Sequence, residues 1–245
     1  MKKTLINLLG LEIFKFKKDH IYINKFKFGT EKRFDIRNDD QFINTAQKVK
    51  NDRTTLLDFD RLYILWQMLK NCVNDKYACA EVGSWRGGSA YFTASICRDL
   101  LGRDVEFHIF DTFEGHPGVI NSSELDANHK EGLFSDTSFE TVKQYLDKFK
   151  VLIHKGEVSK NLNLVETTQF FFAHIDTDLF FSTKVCIEFF FPRMITGGVI
   201  VIDDYGTSTC PGVKKVVDEY MRKNNNAFGF YPMTGQFIII KMDEF

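Results

Sequence analysis

Residues 174–206 read HIDTDLFFSTKVCIEFFFPRMITGGVIVIDDYG, and their pattern decides the fold. Two apolar runs, QFFFAHID (169–176) and GVIVIDDY (198–205), flank STKVCIEFFFPRM, whose apolar spacing is helical. Continuous apolar runs of that length suit strands buried on both faces. Strand, helix and strand in this order make a parallel pair joined by a crossover. Each run closes on carboxylates, Asp176 and Asp178 after the first, Asp203 and Asp204 after the second. The ends of parallel strands share one sheet edge, so these like charges gather and raise one another's pKa values.

A divalent cation would remove that conflict. A ligand set of Asp176, Asp203 and Asp204 is all oxygen, which favours a hard ion, Mg²⁺ or Mn²⁺. About three positions of an octahedron would remain for water and acceptor oxygens. Asp178, two residues beyond the strand end, is placed to cap the helix that starts near Ser182. His174 lies inside the apolar run and reads as a core histidine. The alternative for Asp203 and Asp204 is a pair of exposed loop acids.

Outward from this unit the alternation continues. YACAEVG (77–83), VEFHIFDTF (105–113) and VLIHKG (151–156) read as strands, while residues 87–102, 139–149 and GVKKVVDEYMRKN read as helices. Upstream, Leu62, Leu65, Trp66 and Leu69 follow the i, i+3, i+4, i+7 spacing of an amphipathic helix. FGFYPMTGQFIIIKM closes the chain with a short turn, which demands antiparallel strands. The expected fold is α/β: a doubly wound, mostly parallel sheet with a reversed terminal hairpin. The polar stretch at 114–138 is too long for simple punctuation and reads as a lid over the carboxyl edge of the sheet. Within it, His116 is either a base, a substrate contact or a plain loop residue.

EVGSWRGGSA (81–90) places Gly83, Gly87 and Gly88 between a strand and a helix. Glycines there permit a tight turn and close approach of a ligand to the backbone. The spacing is neither G-x-G-x-x-G nor a phosphate loop. Glu81 just before the turn would repel a pyrophosphate and attract a cationic ligand. Asp111, ending the next strand, stands where a carboxylate commonly binds ribose hydroxyls. A ribose, no pyrophosphate and a positive centre together describe S-adenosyl-L-methionine.

The 245 residues suffice for one sizeable domain, and the formal net charge of −1 argues against a nucleic-acid binder. Residues 1–33 carry nine Lys or Arg against three acids, so residues 1–50 read as a basic extension with a short strand or an oligomer contact, ahead of a catalytic domain at 51–245. Five well-separated cysteines suit free thiols in a reducing compartment. The start, MKKTLINLLGLEIF, runs into KFKKDH without a small-residue cleavage site, and no run is long enough for a membrane span. A cytoplasmic protein, self-associating into a homo-oligomer, is the expectation.

The blocks AEVGSWRGGSA, FDTFEGHP, SDTS, HKG, HIDTDLFFSTK, GGVIVIDDYG and CPGVKKVVDEY occur in the order seen in the macrocin-type sugar O-methyltransferases. The chain resembles that family, metal-dependent relatives of catechol O-methyltransferase, over roughly 54–240. The resemblance implies a class I methyltransferase fold and an acceptor sugar, in a small molecule or glycan, with adjacent hydroxyls. It also implies that Glu81, Gly83, Trp85 and Ser89 surround the methionine part of the donor. By the same resemblance Asp111 takes the ribose, with Thr112 and Phe113 against the adenosine, SDTS near the adenine, and Asp176, Asp203 and Asp204 on the metal. Catechol relatives carry a lysine base shortly after the first metal Asp, and DTDLF has none. Asp176 and His116 are therefore the catalytic candidates. An oxidoreductase on the same architecture and a non-catalytic nucleoside-binding module are the alternatives.

Overall fold

A computed structural model describes residues 11–16, 20–25, 36–117 and 124–243. Residues 1–10, 17–19, the basic stretch 26–35, the centre of the expected lid at 118–123 and residues 244–245 lie outside the described residues. The chain divides into two compact units, 1–39 and 40–245. In the first, β1 (Leu11–Phe16) and β2 (His20–Lys25) pair antiparallel, with Ile13 opposite Ile23. The larger unit begins at Asp40, before the expected boundary at residue 50, because α1 (Asp40–Asn51) buries Phe42, Ile43, Ala46 and Val49. Phe42 meets Phe92 edge-on, with ring centroids 6.0 Å apart.

The rest of this unit runs α2 (Phe59–Cys72), β3 (Ala78–Val82), α3 (Gly88–Leu101), β4 (Phe107–Asp111), α4 (Phe139–Tyr145), β5 (Val151–Lys155), α5 (Val158–Asn161), β6 (Phe170–Ile175), α6 (Phe180–Arg193), β7 (Met194–Ile202), α7 (Pro211–Met221), β8 (Ala227–Phe230) and β9 (Phe237–Lys241). The sheet order is β5-β4-β3-β6-β7-β9-β8. The first five strands are mutually parallel, and β9 runs antiparallel to β7 and β8. The expected parallel sheet with a reversed terminal hairpin is what forms. Every residue of β3 and β6 is buried, as strands covered on both faces require. Beneath them Phe170 and Phe190 pack edge to face at 5.1 Å, a geometry the ring quadrupole favours. Chain order reverses between β3 and β6, and the carboxyl ends of those strands form the crevice where open α/β sheets bind ligands.

Three element boundaries differ from the sequence expectation. β7 starts at Met194, because an irregularity in its pairing with β6 absorbs residues between Met194 and Val199, and it ends at Ile202. Asp203 and Asp204 therefore lie just past the strand, and Asp204 has a positive φ of 60°. α4 stops at Tyr145, although Leu146 and Phe149 remain buried beyond it. α6 begins at Phe180, and its first amide donates to Asp126 Oδ1 at 3.0 Å, so Asp178 does not cap it.

Ser138 caps α4, its Oγ accepting the Thr141 amide at 3.1 Å. Ser138→Ala should lower the unfolding free energy by about 1 kcal/mol, read from the urea midpoint at unchanged slope. An unchanged midpoint would show that the cap contributes nothing to this short helix.

Candidate active site

The crevice is built on one close approach. Gly83, at φ 84°, follows β3, and a Cβ added to it would collide with the backbone carbonyl of Asp176 at the end of β6. The Asp176 amide donates to the Val82 carbonyl at 2.9 Å, and the Asp203 amide to that of Ile175 at 2.8 Å. Three strand ends are thus hydrogen-bonded in a row, bringing the glycine turn and the acids to one edge.

Asp111 ties that turn to β4. Its Oδ2 accepts the Ser84 and Trp85 amides, each at 2.7 Å, and its Oδ1 accepts the Phe113 amide at 2.7 Å. This carboxylate, expected to face a ribose, here spends three of its roughly four acceptor positions on backbone. Trp85 donates from Nε1 to Asp136 at 2.7 Å, and the Arg86 guanidinium also pairs with Asp136 at 2.7 Å. SDTS therefore anchors the glycine turn as well as capping α4. Thr112 donates to the Gly115 carbonyl at 2.8 Å. Phe113 is buried edge-on against Phe139, at 5.6 Å, where an adenosine contact had been expected.

Glu81 and Ser89 also lie deeper than the sequence suggested. Glu81 is fully buried; its Oε1 accepts from the Ser89 hydroxyl at 2.9 Å and its Oε2 from His174 Nδ1 at 3.2 Å. Both oxygens of this carboxylate are engaged by the protein. His174, read as a core histidine, instead links two acids: its Nε2 lies 4.0 Å from Asp203. Burial disfavours its charged form, but Asp203 and Glu81 outweigh that and raise its pKa to about 10.

Asp176, Asp203 and Asp204 do converge, with one oxygen of each within 4.8 Å of the others. Arg61 on α2 joins them, its guanidinium touching Asp203 and lying 3.3 Å from Asp204. Sequence reading missed Arg61. The available signal was its position four residues before Leu65, on the edge of a helical face that otherwise packs into the core. Burial works against ionisation of Asp203, but Arg61 and His174 hold its pKa below the usual carboxylate range. For the other two acids the same cations are outweighed. Burial, with Asp203 and Asp204 beside it, pushes Asp176 well above that range, and burial with Asp203 and Asp178 pushes Asp204 to about 8. Asp203 Oδ1 is buried without a hydrogen-bond partner. Two under-compensated carboxylates and an orphaned carboxylate oxygen fit a hard divalent cation held by all three residues.

His116 lies at the rim. Its Nε2 donates to Asp178 Oδ2 at 3.2 Å, while its Nδ1 is buried without a partner. The His116 amide donates to the Leu133 carbonyl, and the Gly132 amide to the His116 carbonyl, both at 3.0 Å. These bonds tie the two ends of the expected lid together. Among the described residues all five cysteines are buried free thiols, and no helix is long and apolar enough to cross a membrane.

A glycine turn and an acid cluster facing each other across the switch point of this sheet define a class I methyltransferase. The chain belongs to the macrocin-O-methyltransferase (TylF) family, whose model matches residues 1–228, and it is an S-adenosylmethionine-dependent O-methyltransferase. The match reaches further toward the N-terminus than the motifs, which began near residue 54. Among curated proteins it is 26% identical over 180 residues to demethyldecarbamoylnovobiocin O-methyltransferase of Streptomyces niveus, covering 69% of this chain and 68% of that one. It is 24% identical over 179 residues to mycinamicin III 3''-O-methyltransferase of Micromonospora griseorubida, covering 68% and 69%. The solved O-methyltransferase NovP shares the fold at a TM-score of 0.66 and 22% identity, covering 78% of this chain and 83% of that one.

Proposed function

We propose that this protein methylates a sugar hydroxyl that has a second hydroxyl beside it, with a hard divalent ion, Mg²⁺ or Mn²⁺, held by Asp176, Asp203 and Asp204. The acceptor belongs to a glycan, a nucleotide sugar or a glycosylated small molecule. The observation that carries this reading is the meeting of those three acids at the same sheet edge as the Gly83 turn. The names of the novobiocin- and mycinamicin-directed relatives point the same way.

When bound, the ion supplies Lewis acidity that lowers the pKa of the acceptor hydroxyl. The chain's own residues supply position. The turn at residues 83–85 leaves its backbone beside the N-terminus of α3 and receives the donor there, with Asp111 bracing it from below. Arg61 holds the Asp203 side chain, and the His174 imidazole, anchored on Glu81, helps offset its buried charge from 4.0 Å. His116 accepts the hydroxyl proton at Nδ1, because its Nε2–H is committed to Asp178 and that bond selects the tautomer. The described parts of the 114–138 segment, residues 114–117 and 124–138, shield the site from water, so that oxygen, methyl and sulfur align for in-line displacement.

Calorimetry followed by a transfer assay tests this reading. The protein should bind S-adenosylmethionine and not NAD, and should move labelled methyl to a glycoside with vicinal hydroxyls. EDTA should abolish transfer and added Mg²⁺ restore it. Binding of NAD in preference to S-adenosylmethionine, or transfer indifferent to EDTA, would overturn it.

A further inference from the structure

Beside the acid triad lies a second cluster of different chemistry. His116 and His129 come from the 114–138 segment, Asp178 from the turn after β6, and Cys210 from the residue that caps the N-terminus of α7. Ligand atoms of His116, His129 and Asp178 lie within 4.8 Å of one another, and those of Asp178, Asp204 and Cys210 do so as well. His116 Nε2 is 3.2 Å from Asp178 Oδ2, Cys210 Sγ is 3.5 Å from Asp178 Oδ1, and His129 Nε2 is 3.6 Å from Cys210 Sγ.

From these distances and donor types we infer that His116, His129, Asp178 and Cys210 form a second cation site, one suited to a borderline transition ion such as Zn²⁺.

Metal-ligand bonds of about 2.0–2.3 Å give tetrahedral edges of about 3.3–3.6 Å. The three contacts at 3.2, 3.5 and 3.6 Å are close to that spacing, and the remaining pairs would have to draw in around an ion. Two imidazoles, a thiolate and a carboxylate select against Mg²⁺, which demands oxygen and dehydrates reluctantly. The acid triad has the opposite preference, so two adjacent positions would sort ions by softness. A second feature favours ligation over packing. His129 is only 9% exposed, and the Nε2 atoms of both histidines are engaged, His116 with Asp178 and His129 with the Thr209 carbonyl, so the nitrogen each ring has free to ligate is Nδ1, buried without a partner. A histidine pair serving only the core would normally have these atoms satisfied. At present the His129 ring is held by the Thr209 carbonyl, which accepts from Nε2 at 3.1 Å beside Cys210. Burial, with Asp204 and Asp178 beside it, pushes the Cys210 thiol well above its ordinary pKa, so only a bound cation would make it a thiolate. Ligation would convert the thiol to thiolate and release its proton to solvent, so affinity should rise with pH.

The inference rests on distances and donor types and does not depend on the proposed acceptor. Under that proposal an ion here would occupy His116 and Asp178 and slow transfer, a consequence separate from binding itself.

Metal-free full-length protein titrated with Co²⁺ provides the test, followed by optical absorption without any substrate. The expected result is one intense tetrahedral spectrum with a near-ultraviolet thiolate-to-metal band, bleached by one equivalent of Zn²⁺. Cys210→Ser should remove the thiolate band, and His129→Gln should weaken binding by roughly 100-fold. Each variant is first compared with the parent by circular dichroism, and the two read different ligands, so one misfolded variant leaves the other decisive. A weak octahedral spectrum that neither substitution changes would place the ion in the acid triad alone and overturn the second site. Absence of any Co²⁺ spectrum would overturn it equally. Either outcome leaves methyl transfer, measured with Mg²⁺, untouched.

Discussion

Asp203→Asn should cut methyl transfer by roughly 100- to 1,000-fold while leaving S-adenosylmethionine affinity within a few fold of the parent. The reasoning begins with charge. Asp203 is 2% exposed and stands between two cationic groups, the Arg61 guanidinium and the His174 imidazole. It is also the one acid of the triad that its surroundings keep ionised. The amide keeps the shape and one acceptor but removes the negative charge. A bound cation would lose a ligand, and Arg61 and His174 would lose their shared counter-charge. The glycine turn does not touch the Asp203 side chain, so donor binding should survive.

Asp203→Ala separates the structural part of this role from the chemical part. Removing one partner from a buried ion pair typically costs about 3–5 kcal/mol, because the other charge stays behind uncompensated. For a chain of this size that is a fall in melting temperature on the order of 10 °C. The alanine protein should therefore be both inactive and thermally weakened, and the asparagine protein chiefly inactive. Equal loss of donor affinity and turnover in Asp203→Asn would sink the metal-ligand assignment and leave Asp203 a structural residue.

The contrast between what was legible in the sequence and what was not follows one physical line. Strands buried on both faces must be apolar throughout, so β3, β6 and β7 announce themselves as runs of Ala, Val, Ile and Phe. Parallel strands must end on a common edge, so the meeting of Asp176 with Asp203 and Asp204 follows from topology before any coordinate is known. What resisted reading was the identity of partners. Glu81 and Asp111 sit where a ligand-facing carboxylate belongs, and nothing local says that Ser89, His174 and three backbone amides already satisfy them. Arg61 reaches the triad from a helix remote in sequence, and such a contact leaves only a faint trace in periodicity. The start of β7 was misplaced for a different reason. Its pairing irregularity near Gly197 depends on the neighbouring strand, which a single run of residues does not encode.

Gly83→Ala is expected to abolish donor binding and to damage the fold at the same stroke. Two independent costs meet at this position. The φ of 84° lies where an L side chain is strained, a penalty of roughly 1–2 kcal/mol. The added methyl would also collide with the Asp176 carbonyl oxygen, which is backbone and cannot rotate away. Relief requires β3 and β6 to part at their carboxyl ends. That would break the hydrogen bond from the Asp176 amide to the Val82 carbonyl and shift Asp176 away from Asp203 and Asp204. Overpacking of this kind usually costs about 1–3 kcal/mol, and here the strain falls on the catalytic edge. Gly102→Ala provides the control. It also has positive φ, at 68°, but nothing lies within 4 Å of a Cβ there, so it isolates the backbone penalty. Gly102→Ala should lose stability alone, with calorimetric donor binding intact, whereas Gly83→Ala should show no binding heat. If both alanine proteins bind S-adenosylmethionine equally well, the close contact between the glycine turn and the acid strand is not what shapes the donor site.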